Sequence, residues 1–112
     1  VRGDRFLLAQ ALTNLLENAM EFSPEGGEVE LRAERSGDDA LILVRDQGPG
    51  LPEYARRRAF ERFFSLPRPD GRKGTGLGLS LVREVAALHG GRVEIGPGKA
   101  VGAEARLTLP LT

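Results

Sequence analysis

Cysteine and tryptophan are missing from the 112 residues, and methionine, tyrosine and histidine appear once each. Without cysteine there are no disulfides, no thiolate metal sites and no cysteine nucleophile, while the compartment is left open. No apolar run approaches the length that crosses a membrane, and no secretory signal pattern opens the chain. Charge of one sign is missing too. Lys+Arg and Asp+Glu are both 16, so no overall field draws the protein to nucleic acid or to an anionic membrane. Lysine itself is scarce, present only as Lys73 and Lys99. There is no internal repeat, linker or low-complexity segment. What remains, 40% hydrophobic and 29% charged residues, suits one soluble globular domain spanning residues 1–112. The chain opens at Val1 without methionine, and the expectation is a fragment of something longer.

Glycine, by contrast, is plentiful, and three glycines alternate in Gly74-Thr75-Gly76-Leu77-Gly78-Leu79-Ser80. From there Leu77, Leu81, Val82, Val85 and Leu88 recur at helical spacing. A glycine run that opens a helix suits an anion. Bare backbone N–H groups can reach a phosphate, and the helix start adds unpaired donors and the positive end of the dipole. Tight packing would explain an isolated glycine pattern better. No Gly-Lys-Ser/Thr follows, which excludes a Walker loop, and no strand runs into Gly74, which excludes a Rossmann turn.

Upstream, Asp4 is expected to cap a helix running to about Phe22, with Leu8, Leu12, Leu15, Ala19 and Phe22 as its core stripe. Asn14 and Asn18, four apart, share a face at the edge of that stripe. Asparagine is a poor helix residue, so two at this spacing suggest a polar face with something to bind. Residues 28–34 alternate, with Val29, Leu31 and Ala33 on one side, and predict a half-buried strand. Residues 36–39 predict a hairpin turn and residues 40–44 a more buried strand that ends at Asp46. Residues 53–63 read as a short helix, and residues 65–73 as a loop mobile by composition. Gly90-Gly91 stops the last helix. Residues 92–95 and 103–109 read as closing strands. This order is α+β, a mixed or antiparallel sheet with helices packed on one face.

Four stretches line up along the chain: Asn14-Leu15-Leu16-Glu17-Asn18-Ala19, Asp46-Gln47-Gly48-Pro49-Gly50, Phe60-Glu61-Arg62-Phe63-Phe64 and Gly74-Thr75-Gly76-Leu77-Gly78-Leu79. In this order and spacing they resemble the N, G1, F and G2 boxes of the catalytic ATP-binding domain of sensor histidine kinases. Each box alone is weak, and the four together are specific. The resemblance covers nearly the whole chain and implies the Bergerat fold of the GHKL superfamily, a two-layer α/β sandwich with a mixed sheet. The text around the boxes, such as residues 21–26 and 64–68, looks most like CreC-type kinases.

The resemblance implies ATP and Mg²⁺ as the ligands. Asn18 would offer its amide oxygen to Mg²⁺, a hard cation that takes few protein ligands beside phosphates. Asn14 would support the phosphates or the water shell of the metal. Asp46 would accept from the adenine 6-amino group, where guanine presents an acceptor. Gly48 and Gly50 would let the backbone turn against the base. Gly74, Thr75, Gly76, Leu77 and Gly78 would hold phosphate through backbone N–H groups. Arg62, Arg68, Arg72 and Lys73 are candidates for stabilising the transferring γ-phosphoryl group. Two departures stand out: many relatives have Lys where this chain has Glu21, and Arg where it has Ser65.

The implied reaction is phosphoryl transfer to a histidine of a dimerisation domain upstream, for relay to a response regulator. The whole protein would be a homodimer, an inner-membrane bacterial sensor with this domain in the cytoplasm, and the fragment a monomer that does not phosphorylate itself. Nucleic acid is not an expected partner. His89, the only histidine, matches the end of the family's last helix and is expected to be structural. Alternatives are a GHKL ATPase, a serine kinase of the anti-sigma-factor type and a nucleotide-sensing module without turnover. GHKL ATPases carry a water-activating Glu where this chain has Asn14, which favours transfer over hydrolysis. Glu21 and Ser65 keep the sensing module open.

Overall fold

Asp4 is the N-cap of the first helix. Its Oδ1 accepts from the backbone N–H groups of Phe6 and Leu7 at 2.9 and 3.1 Å, satisfying two donors that a helix start leaves unpaired. The helix that follows, α1, spans Arg5–Phe22 and ends where Ser23 turns extended. The structure, a computed structural model, describes residues 3–23, 26–48, 58–61, 78–97 and 102–111.

Four strands and a second helix complete the described elements: β1 (Glu30–Ser36), β2 (Asp39–Arg45), α2 (Gly78–Leu88), β3 (Arg92–Pro97) and β4 (Ala103–Pro110). The sheet order is β1-β2-β4-β3, and every pair among these strands is antiparallel. Gly37 and Asp38 close the β1–β2 hairpin, with Ser36 opposite Asp39. β2 and β4 are the central strands. Val44, Leu107 and Leu109 on their inner face meet Ala11, Leu15 and Ala19 of α1 and Val82, Val85 and Ala86 of α2. Leu15, Leu107, Val44, Val82 and Val85 are fully buried, each worth about 1.5–3 kcal/mol relative to exposure.

The helices run antiparallel across this face. Asn14, midway along α1, meets Gly78 at the start of α2, while Asp4, before α1, meets His89 just past the end of α2. The α+β class and the placement of helices on one sheet face agree with the sequence. β1 differs. The alternation of residues 28–34 predicts a half-buried strand, yet the strand is Glu30–Ser36 and all seven residues are exposed. It is the edge strand and pairs only from Glu30, opposite Arg45 where β2 ends. Its outward row of Glu30, Arg32 and Glu34 is charged, a common guard against edge pairing.

Candidate functional site

Asn14 and Asn18 sit one turn apart on α1, beside the buried Leu15 and Ala19, and both are half-buried. The Asn14 amide is engaged at both ends. Gln10 Nε2 donates to its Oδ1 at 2.8 Å, and its Nδ2 donates to the Gly78 carbonyl at 3.1 Å. The asparagine face of α1 is thereby tied to the first residue of α2. A methyl group on Gly78 would meet nothing within 4 Å, so the space beside the start of α2 is open. The Asn18 amide has no hydrogen-bond partner among the described residues and is available as a neutral oxygen donor.

Asp46 follows β2 directly and is 9% exposed. Its backbone N–H continues the ladder to the Ala103 carbonyl at 3.0 Å. Its Oδ1 accepts twice, from the N–H of Gly48 at 3.0 Å and of Ala103 at 3.1 Å. Among the described residues nothing donates to Oδ2. A buried carboxylate with one oxygen fixed and the other unpartnered is costly unless a ligand supplies a donor. Gly48 brings this loop against the end of α1, where a Cβ would run into the Phe22 carbonyl and lie 3.0 Å from its carbon. Gln47 fastens the loop further, donating its N–H to Ser23 Oγ at 3.4 Å and accepting the Glu28 N–H at 3.0 Å.

On the opposite sheet face, one residue before Asp46, Arg45 binds two carboxylates. It donates to Glu104 through Nε and to Glu30 through Nη1 at 3.0 Å. Arg106 reaches the other oxygen of Glu104 at 2.7 Å. Glu104 is buried at 4% exposure. Burial pushes its carboxyl up, but the hydrogen bonds and charges of Arg45 and Arg106 outweigh this and hold it below the usual glutamate range. The Arg45 guanidinium is correspondingly raised, foremost by its hydrogen bond to Glu104. A carboxyl depressed by folding stabilises the fold above its unfolded value near ~4.3, and that contribution is lost as pH falls through the lower folded value. Urea midpoints measured from pH 7 down to pH 3 should therefore drop below pH ~4.3. The drop should be shallower in Glu104→Gln, and an unchanged slope would remove Glu104 as its source.

His89 uses both ring nitrogens. Nε2 accepts the Asp4 N–H at 3.0 Å, so the proton sits on Nδ1, which donates to the Val85 carbonyl at 2.7 Å. Gly3 packs on the ring so closely that a Cβ there would overlap it. This is the structural placement expected for the only histidine, and neither nitrogen is presented to a phosphate.

Of the residues that the sequence nominates, the structure brings Asn14 and Gly78 into contact, places Asn18 one turn along, and sets Asp46 and Gly48 at the end of β2. Gly50, Arg62, Arg68, Arg72, Lys73, Gly74, Thr75, Gly76 and Leu77 lie outside the described residues, as do most of the expected helix over residues 53–63 and the loop over residues 65–73. Phe60, the first residue of the third stretch, is buried at 8% exposure. Three residues were missed: Gln10, Gly102 and Glu104. Gly102 has φ +85°, and a Cβ there would run into the Asp46 carbonyl. A glycine directly ahead of a strand was the only available signal for it.

The family described as histidine kinase-, DNA gyrase B- and HSP90-like ATPase matches residues 3–112. The sensor protein CreC of Escherichia coli is 50% identical over 95 residues, covering 85% of this chain and 20% of CreC. The alginate biosynthesis sensor protein KinB of Pseudomonas aeruginosa is 43% identical over 108 residues, covering 96% of this chain and 18% of KinB. The chain thus spans about a fifth of the length of these curated relatives. Among solved structures, the mycobacterial sensor histidine kinase MprB superposes with a TM-score of 0.87 at 36% identity, covering 98% of this chain and 76% of that one.

Proposed function

The chain belongs to the family of histidine kinase-, DNA gyrase B- and HSP90-like ATPases and is homologous to the catalytic, ATP-binding domains of sensor histidine kinases, and on that premise we propose how its residues serve the reaction. The domain binds Mg-ATP between α1, the loop after β2 and the start of α2, and presents the γ-phosphoryl group to a histidine on another domain of the parent protein. A response regulator then receives it. The observation that carries this reading is Asp46, a buried carboxylate with Oδ1 saturated by two backbone donors and Oδ2 without a partner among the described residues.

In this reading Asp46 Oδ2 accepts from the adenine amino group, and Gly48 keeps the loop thin enough to lie along the base. Asn18 would hold the cation through its amide oxygen. Mg²⁺, when bound, neutralises charge on the phosphates. The phosphates lie against the backbone donors of residues 74–78, at the positive end of α2. Arg62, Arg68, Arg72 and Lys73 supply the cations for the transferring group. His89 stays a packing residue. Asn14 leaves no carboxylate in the place where hydrolytic relatives carry one, which favours transfer to a protein group over hydrolysis.

Incubating the parent protein with γ-labelled ATP should give acid-labile, base-stable phosphate, and the 112-residue chain alone should bind Mg-ATP without labelling itself. Label on His89, or none on the parent, would contradict the assignment. Asn18→Ala should remove the tightening that Mg²⁺ confers on ATP binding while leaving α1 intact, since alanine is the better helix former. Equal metal dependence in both proteins would take Asn18 out of the metal site.

A further inference from the structure

We propose that Gln10 is a positioning residue of the nucleotide site, acting through Asn14 to fix the first turn of α2. The proposal rests on the reading of this face as the phosphate site. The two ends of an asparagine amide have nearly the same shape, so only hydrogen bonds decide which end points where. Here the choice matters, because the neighbour across the helix interface is a carbonyl. The Gly78 oxygen, already the helical acceptor of the Val82 N–H, can take a second donor but offers none, and Asn14 Nδ2 donates to it at 3.1 Å. That orientation requires Oδ1 to face back along α1, where Gln10 Nε2 donates to it at 2.8 Å. Gln10 is one helical turn before Asn14 and is exposed, so burial does not explain its identity.

The chain of donors therefore runs one way, from Gln10 to Asn14 to Gly78. Reversing its polarity breaks it. A glutamate at position 10 has the same reach but only accepts, so it recruits Asn14 Nδ2 and turns Oδ1 against the Gly78 carbonyl. Two acceptors then face each other, and the start of α2, which follows residues 74–77 directly, loses its tie to the helix that carries Asn18. An apolar residue of similar length removes the orienting donor without imposing the wrong orientation. Polarity thus predicts an order: Gln10→Glu more harmful than Gln10→Met, and both harmful only while Asn14 is present.

The test has one arm without nucleotide and one with it. In the empty 112-residue chain, amide exchange at Val82, whose helical acceptor is the Gly78 carbonyl, should quicken about tenfold in Gln10→Glu and about threefold in Gln10→Met, the scale of one hydrogen bond. Exchange at Val85 and Ala86, deeper in the same helix, should stay as in the wild type. In the second arm, Gln10→Glu should weaken Mg-ATP binding about fivefold to tenfold. A carboxylate also repels triphosphate directly, so the Asn14→Ala background subtracts that part, and the loss caused by Gln10→Glu should shrink there to about twofold at most. Wild-type exchange at Val82 in both Gln10 variants, or an equal loss from Gln10→Glu with and without Asn14, would overturn the proposal. Failure of the wild-type chain to bind Mg-ATP would instead overturn the reading of the site, and the exchange arm would still decide whether Gln10 orients Asn14.

Discussion

Asp46→Asn is expected to weaken ATP binding by about 1–3 kcal/mol, a factor of roughly 5–150, without unfolding the domain. The geometry explains why the change is selective. Both partners of Oδ1, the N–H groups of Gly48 and Ala103, are donors. An asparagine must keep its oxygen there, which forces its NH₂ group into the place of Oδ2. The fold keeps its two hydrogen bonds, and the face turned to the ligand changes from acceptor to donor. Opposite the adenine amino group two donors then meet. Opposite guanine, whose O6 is an acceptor, the new NH₂ is matched, so discrimination against GTP should relax or reverse. Calorimetric titration of both nucleotides, beside a urea midpoint, checks the two halves together. Unchanged ATP affinity in a folded variant would remove Asp46 from base recognition. A fall in the urea midpoint as large as the fall in affinity would mean that the Oδ1 pair, and not Oδ2, had been disturbed.

Asp46 also illustrates what the sequence could and could not show. It was nominated through the resemblance, on the stretch Asp46-Gln47-Gly48-Pro49-Gly50 that closes an apolar strand. Its support was not legible. Oδ1 is held by Ala103, 57 residues away, and that contact exists only once β2 and β4 have paired in register. The same limit applies to Glu104, whose partner Arg45 lies across the strand pair, and to Gly102. Local signals fared better. Asp4 and the apolar stripe of α1 gave the helix within a residue at each end, because caps and periodicity are written in neighbours. β1 shows the contrary case, since alternation cannot tell an edge strand with an uncovered face from a strand under a helix. Asn14 was nominated for its position and found engaged by Gln10, four residues back on the same helix, and by Gly78, a contact that follows from α1 and α2 lying antiparallel and from no spacing along the chain.

Gly102→Ala should be the most damaging single methyl group added to this site, lowering stability by about 2–4 kcal/mol and taking nucleotide affinity down with it. Two costs combine. The backbone of Gly102 is at φ +85°, where a residue with a Cβ is strained by about 1–2 kcal/mol. The methyl would also run into the Asp46 carbonyl oxygen and lie 2.7 Å from its carbon and 2.8 Å from Oδ1. Most of that contact is backbone, so it cannot be relieved by turning a side chain, and the strand end carrying Asp46 must move. Gly48, two residues after Asp46, already lies so close to the Phe22 carbonyl that a Cβ there would run into it, so the loop is packed on that side as well. Two other glycines separate the terms. Gly37, at φ +61° with nothing within 4 Å of an added Cβ, carries the backbone cost alone, so Gly37→Ala should lose only about 1–2 kcal/mol and bind ATP normally. Gly96 lies in β3 with open space and no positive φ, so Gly96→Ala should be near neutral in both measurements. Urea midpoints and ATP titrations on the three variants give the comparison. Equal behaviour of Gly102→Ala and Gly37→Ala would show that the strand end at Asp46 yields freely, and that Gly102 does not hold the carboxylate in place.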